Sequence, residues 1–323
     1  MKFIDLFCGC GGLTSGLEKS GMKCLVSIDN LKRIENFHHY NFKHKFINCD
    51  LTNIKKTVEI IKKYPFDMIV GGPPCQDFSS AGKRDESLGR ADLTYKFSEI
   101  ISKTKPRFFL MENVERIKKS KILLDIIKKF KKDNYFMSAF ILNAKYCHVP
   151  QDRKRFFLFG QLKGQNNSLQ HVIRKKLSPN PLTIRKYFNN KLDYEHYYRH
   201  PRNYNRRGIF SIDEPSPTIR GVNRPIPSGY KIRPNDPNNI KSLKKIKVMN
   251  TKERSLVQTF PNNFKFLGVK TFDEQLIGNA VPVNMAKLIG ESIIELVKTN
   301  KKIIQSDLFG ENDLILPDKV LQP

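Results

Sequence analysis

The sequence predicts an α/β protein, in which a largely parallel sheet carries helices on both faces and a smaller irregular unit interrupts the chain. Three observations lead there. Short apolar runs alternate with amphipathic stretches from the N-terminus to Gly160. From Gln161 to about Val248 that periodicity fades and Asn, Pro, Arg, Lys and Tyr dominate. Regular structure then returns at Asn250.

The predicted strands are Phe3–Phe7, Cys24–Ile28, Lys45–Asn48, Asp67–Val70, Arg107–Met111, Met137–Asn143 and Arg155–Gly160. Between them, Leu31–Tyr40, Ile54–Lys63, Leu93–Lys103 and Ile122–Lys132 carry helical spacing. Ligands of such sheets bind beyond the carboxyl ends of the strands, so those ends are where functional residues are sought. The irregular segment holds Tyr194, Tyr197, Tyr198, Tyr204, Phe210 and Tyr230. Aromatics at that density argue for a folded unit rather than a linker. Asn250 followed by Glu253 is a capping-box signature, and a last helix is expected from Val283 to Lys298. The tail from Asn300 to Pro323 carries no recognisable motif.

Lys and Arg number 58 against 31 Asp and Glu, a surplus of 27 positive charges. That surplus suits a polyanionic partner, whose counterions are released on binding; an AT-biased genome also enriches Lys and contributes to the count. No apolar run reaches the ~18–20 residues of a membrane span. Met1–Phe7 has an early acid and reads as a first strand rather than a targeting segment, so the expected location is the cytoplasm. The six cysteines show neither a zinc pattern nor a C-x-x-C pair, and most are expected to be small buried hydrophobes.

Two constellations stand out. Phe7-Cys8-Gly9-Cys10-Gly11-Gly12 follows the first strand and precedes a helix, where glycines let main-chain N–H groups approach a ligand. The second strand ends at Asp29, placed to take ribose hydroxyls, and the third runs into Asp50. Thr14 stands where the third glycine of a dinucleotide fingerprint belongs, so the loop alone leaves a nicotinamide cofactor and S-adenosylmethionine both open. The second constellation is Gly71-Gly72-Pro73-Pro74-Cys75-Gln76, which stiffens the chain and presents a thiol in a loop. Glu112 ends an apolar strand, where partial burial would raise its pKa and fit it to give a proton. In an extended Gln151-Asp152-Arg153-Lys154-Arg155, the residues Gln151, Arg153 and Arg155 share a face, and two guanidinium groups suit an oxygen-rich ligand.

Taken together these segments resemble the DNA (cytosine-5) methyltransferases, most closely the bacterial modification enzymes. The resemblance rests on Asp5–Gly12, Gly72-Pro73-Pro74-Cys75-Gln76, Glu112-Asn113-Val114, Gln151–Arg155 and Gly278-Asn279-Ala280-Val281-Pro282, in the family's order across almost the whole chain.

The resemblance implies a Rossmann-like S-adenosylmethionine-dependent methyltransferase sheet with an inserted small, irregular target-recognition domain. Residues 1–164 would form the first part of the catalytic domain, 165–262 the insert, and 263–323 the segment returning to the catalytic domain. It makes Cys75 the thiolate that attacks carbon 6 of a flipped-out cytosine. Glu112 would act at N3 and the 4-amino group, Arg155 at the 2-carbonyl, and Arg153 would help to position the base and Cys75. Phe7 would pack on the adenine of S-adenosylmethionine, and Gly9, Gly11 and Gly12 would line its methionine end. Asp29 would take the ribose and Asp50 with Leu51 the adenine, while Gly72 and Pro74 would wall the methyl donor and Asn279, Ala280 and Val281 would complete the pocket. The implied partner is double-stranded DNA, with a monomeric enzyme and room for a cognate restriction endonuclease acting on the same site.

Arg199, Arg202, Arg206, Arg207, Arg220 and Arg224 are candidates for guanine or phosphate contacts, with Pro215–Gly221 as a rigid loop carrying one of them. Lys252 and Leu256 depart from the family by standing where arginine is usual, and Asp29 stands where glutamate is commoner. Methylation of transfer RNA on the same fold, and a binding protein with a dead site, are the competing readings.

Overall fold

The structure, a computed structural model, describes residues 1–74, 92–201, 206–240, 242–303 and 320–321. Cys75 and Arg202 lie outside the described residues.

The chain opens with β1 (Lys2–Leu6), α1 (Gly12–Lys19), β2 (Lys23–Asp29), α2 (Glu35–Asn41), β3 (Lys45–Asn48), α3 (Ile54–Ile61) and β4 (Met68–Gly71). It continues through α4 (Asp92–Thr104), β5 (Phe108–Val114), α5 (Lys121–Lys132), β6 (Phe136–Asn143), β7 (Gln151–Asp152) and β8 (Lys154–Gln161). Seven of these strands form one sheet in the order β3-β2-β1-β4-β5-β8-β6. The pairings from β3 to β5 are parallel, and β8 runs antiparallel to both of its neighbours. All seven predicted strands are present, and the α/β expectation holds.

Period-two alternation sends successive side chains to opposite faces. Phe3, Phe108 and Leu110 join a core beneath α1, whereas Ile4, Leu6, Phe109 and Met111 join a second core beneath α3, α4 and α5. Strands buried on both faces explain the continuous apolar runs in the sequence.

Beyond the sheet come α6 (Ser168–Lys176), α7 (Ile184–Phe188), β9 (His196–Tyr198), β10 (Ile209–Ser211), β11 (Ser216–Pro217), β12 (Lys247–Val248), α8 (Thr251–Val257), α9 (Lys270–Asn279) and α10 (Val283–Ile303). The helix α6, at the head of the expected insert, places Leu169 and Ile173 in the same core as α1 and α10. A small sheet of order β10-β9-β12 follows. Its turns are organised by Asp236, whose buried carboxylate accepts from the N–H groups of Gly208, Ile209 and Arg233 and from the Tyr230 hydroxyl. Asn250 and Glu253 form the predicted capping box at the start of α8.

The C-terminal part returns to the large sheet. A Cβ on Gly12 would collide with the Val281 carbonyl, and one on Gly16 with Ala286 and the Val283 carbonyl, so α1 and α10 touch backbone to backbone. Leu321 pairs in parallel with Leu142 of the edge strand β6, its N–H donating to the Ile141 carbonyl at 2.8 Å.

Candidate active site

At the carboxyl end of β1 the chain turns sharply. Phe7 has φ 56°, in the left-handed region that costs a non-glycine residue on the order of 1–3 kcal/mol. The turn is fastened from two sides. The Gly9 N–H donates to Asp29 Oδ2 at 2.9 Å, while Asp29 Oδ1 accepts from the Leu31 N–H at 3.0 Å. On the other side His38 Nε2 lies 2.9 Å from the Gly9 carbonyl. A carbonyl only accepts, so His38 donates there. Burial pushes the His38 pKa down to about 4, which keeps the ring neutral. His38 had no signal in the sequence, because its partner is brought to it by the tertiary fold.

Thr14, the residue in place of a third glycine, gives its hydroxyl proton to the buried carboxylate of Asp5. Burial, with a smaller contribution from Asp29, raises the Asp5 pKa to about 7. Neither partner was singled out for this role in the sequence.

The other predicted cofactor residues lie at adjacent strand ends. Asp50 is exposed after β3 and accepts from the Thr52 N–H, while Leu51 is buried. Gly72 and Pro74 follow β4. Ala280 and Val281 are buried against Gly12, and Asn279 is exposed. Space beside Gly9 is open: a Cβ there would meet nothing within 4 Å. A turn with open space at its glycine, flanked by strand-end carboxylates that each keep free lone pairs, fits a nucleoside-bearing cofactor.

Next to this loop, Glu112 of β5 and Arg155 of β8 meet. β8 pairs antiparallel with β5, setting Phe157 opposite Glu112 and Arg155 opposite Val114. Glu112 and Arg155 are thus diagonal neighbours, and Arg155 Nε lies 3.0 Å from Glu112 Oε1. Burial raises the Glu112 pKa, against the opposing pull of Arg155 and Arg153. The other oxygen, Oε2, faces Gly72, where a Cβ would stand 3.1 Å away. Asn113 donates from Nδ2 to the Pro73 carbonyl at 3.3 Å, so the Gly-Pro-Pro segment leading to Cys75 is tied to the end of β5.

Arg153 has a different environment from Arg155. It is 1% exposed, and its guanidinium donates to the carbonyls of Ile219, Gly278 and Ala280 at 2.9–3.0 Å. The oxygen-rich ligand suggested by the sequence is, in these contacts, the protein's own main chain. Gln151 reaches the same junction, accepting from the Ile219 N–H and donating to Gln258.

The C-5 cytosine-specific DNA methylase family model matches residues 1–295. The chain belongs to that family. It is a DNA (cytosine-5) methyltransferase, and the fold is that of the family's Rossmann-like enzymes. It is similar to the Type II methyltransferase M.HindV of Haemophilus influenzae, 56% identical over 298 residues that cover 92% of this chain and 98% of the relative. It is also similar to the Type II methyltransferase M.HgiDI of Herpetosiphon aurantiacus, at 47% identity over 91% of this chain and 94% of the relative. Among solved structures, the S. pombe Dnmt2 methyltransferase superposes with a TM-score of 0.67 at 15% identity, covering 93% of this methyltransferase and 99% of that chain, a likeness of fold. Among the described residues, no helix is long and apolar enough to cross a membrane.

The arginines singled out in the expected insert separate by environment. Arg207 forms a two-pronged pair with Glu214 and lies over the Phe210 ring at 4.4 Å. Arg199 donates to the Thr218 carbonyl and Arg220 to the His200 carbonyl. Arg206 and Arg224 are exposed. The departures at Lys252 and Leu256 have a counterpart between them: Arg254 is 4% exposed and supplies the buried guanidinium of α8.

Proposed function

We propose that this methyltransferase moves a methyl group from S-adenosylmethionine to carbon 5 of a flipped-out cytosine in a specific short DNA sequence, through a covalent bond between Cys75 and carbon 6. The observation that carries the reading is the Glu112–Arg155 pair, set against Gly72 and the Pro73 segment that leads into Cys75.

Carbon 5 of cytosine is a weak nucleophile. Addition of the Cys75 thiolate at carbon 6 breaks the 5,6 double bond and moves its electron pair towards carbon 5 and N3. Glu112, with its raised pKa, donates a proton or hydrogen bond at N3 and accepts from the 4-amino group. Arg155 holds Glu112 and offers its remaining donors to the 2-carbonyl. Arg153 acts through its carbonyl cradle, fixing the strand from which Arg155 projects. Carbon 5 then takes the methyl group. A base such as water removes the carbon-5 proton as Cys75 leaves as thiolate, which restores the 5,6 double bond, and N3 returns its proton to Glu112. None of this is accessible in a stacked duplex, and enzymes that act on a base extrude it.

Phe7, Gly9, Gly11, Gly12, Asp29, Asp50, Leu51, Gly72, Pro74, Asn279, Ala280 and Val281 are proposed to hold the cofactor. When bound, S-adenosylmethionine supplies an electrophilic methyl group. The insert, residues 165–262, is proposed as the target-recognition domain, with Arg206 and Arg224 the exposed candidates for DNA contacts. A modification role in a restriction–modification system is supported by the names of the Type II relatives, and a monomeric enzyme working beside a cognate endonuclease is proposed with it.

Incubation with duplex DNA carrying 5-fluorocytosine tests the route, because fluorine cannot leave as the carbon-5 proton does. A cofactor-dependent, denaturation-resistant protein–DNA adduct is expected. Methylation without any such adduct would overturn the covalent step, and label transferred only to transfer RNA would overturn the DNA substrate.

A further inference from the structure

A second buried constellation lies between α8, α9 and the loop Pro215–Gly221. Arg254 of α8 and Glu274 of α9 form an ion pair with side chains 4% and 2% exposed. Glu274 Oε1 also accepts from Asn223 Nδ2 and Thr251 Oγ1, each at 3.0 Å. Arg254 spends a further donor on the Arg220 carbonyl. One residue along, Gly221 and Gly278 touch: a Cβ on Gly278 would collide with the Gly221 nitrogen and the Arg220 carbonyl carbon. One residue back, the Ile219 N–H donates to Gln151 and its carbonyl accepts from Arg153. Ser216 and Pro217 pair with Gln151 and Asp152 as β11 on β7.

Every main-chain step of this loop from Ser216 to Gly221 except Thr218 is thus held by the α8–α9 corner or by the segment that ends in Arg155. Thr218 is no exception in effect, since its hydroxyl donates to the Asp152 carbonyl. The same loop carries Arg220, a candidate reader of DNA, and is the part of the expected insert that packs on the segment ending in Arg155.

Buried ion pairs add little net stability, because desolvation offsets their attraction. What a two-pronged guanidinium adds is geometry: it aims the Arg220 carbonyl and Glu274 at fixed angles from one planar group. We propose that Arg254 and Glu274 are positioning residues for sequence discrimination, a latch that fixes the Arg220 main chain relative to Arg153 and Arg155. Only a DNA sequence that satisfies the recognition loop then brings its cytosine correctly to Glu112. This rests on the reading of the insert as the recognition domain and of Glu112 as the base-binding carboxylate.

The test uses the full-length enzyme and genomic DNA methylated in vitro, mapped by bisulfite sequencing. The informative variant is the pair Arg254→Met with Glu274→Gln. It leaves no buried charge unpaired, and the glutamine oxygen still accepts from Asn223 and Thr251, so folding is retained while the Arg220 carbonyl is released. The expected result is a melting temperature and cofactor affinity close to those of the wild type, with kcat at the wild-type motif changed by less than about twofold. KM for DNA should rise about tenfold, and the preference for the wild-type motif over one-mismatch sites should fall by about tenfold or more, within the range that single base pairs command. Arg254→Lys, which keeps the charge and loses the fork, should fall between the two. Unchanged KM and unchanged discrimination in the paired variant would overturn the latch. Adduct formation on 5-fluorocytosine DNA by the wild type tests the covalent route separately, so failure of that route and failure of the latch have different signatures.

Discussion

Arg155 Nε sits 3.0 Å from Glu112 Oε1, yet the carboxyl of Glu112 is pushed up rather than down. Burial outweighs the attached guanidinium. A carboxyl with a raised pKa keeps its proton to higher pH than an ordinary glutamate, and it remains aligned by the attached guanidinium. The proposed proton donation at N3 therefore fails on the alkaline side, as pH rises through the Glu112 value. Glu112→Gln should slow adduct formation by about 10²-fold or more and remove that alkaline limb. Cofactor binding, followed by titration calorimetry, should be unaffected. An unaltered pH–rate profile in the variant would remove Glu112 from the proton transfer.

Cys75→Ser should lose nearly all turnover while retaining DNA affinity, since the hydroxyl is a far weaker nucleophile than a thiolate at neutral pH. Rapid-quench methylation and gel-shift titration together check this. Turnover near the wild-type level would rule out attack by Cys75.

Asp5 governs a stability effect of defined sign. Its folded value of about 7 lies above the ordinary aspartate value of 3.8, so between those limits the folded protein holds a proton that the unfolded chain has lost. Stability therefore falls as pH rises from about 4 to about 7. Asp5→Asn keeps an oxygen for the Thr14 hydroxyl and removes the titration. The variant should show a flatter stability profile over that window and greater stability than the wild type at its upper end, measured by urea unfolding at several pH values. Parallel profiles for the two proteins would refute the assignment.

Arg207 and Arg224 should respond in opposite ways. Arg207→Ala removes a two-pronged carboxylate pair and a ring contact, and should cost about 1–3 kcal/mol of stability. Arg224→Ala should leave thermal unfolding unchanged and reduce the slope of log affinity against log salt by about one. Melting curves and salt titrations of DNA binding separate the two cases, and a reversed pattern would exchange the assigned roles.

The strands of the large sheet were legible because each is a short apolar run between turn-forming residues, and the start of α8 because Asn250 and Glu253 lie three residues apart. Such signals are local. Arg153 shows the limit. Its spacing from Arg155 suggests two guanidinium groups on one face, but its partners lie 66, 125 and 127 residues away. No local pattern announces that three main-chain carbonyls will gather around it. The helix α6 was absorbed into the irregular insert for a related reason: only Leu169 and Ile173 are buried in its nine residues, too few for an apolar stripe to register. The Arg254–Glu274 pair and His38 depend on tertiary contacts in the same way.

The contact of α1 with α10 also has a consequence for synthesis on the ribosome. The face of α1 that Gly12 and Gly16 open for close approach is made within the first twenty residues, but the helix that covers it begins at Val283. At ordinary elongation rates roughly 260 further residues take about 15–50 s to add. During that interval the nascent amino-terminal strands and α1 keep an uncovered apolar surface, so completion of the catalytic unit must follow translation of the insert rather than precede it. A slowly translated insert would lengthen that exposure, even though its first helix, α6, adds Leu169 and Ile173 to the same core.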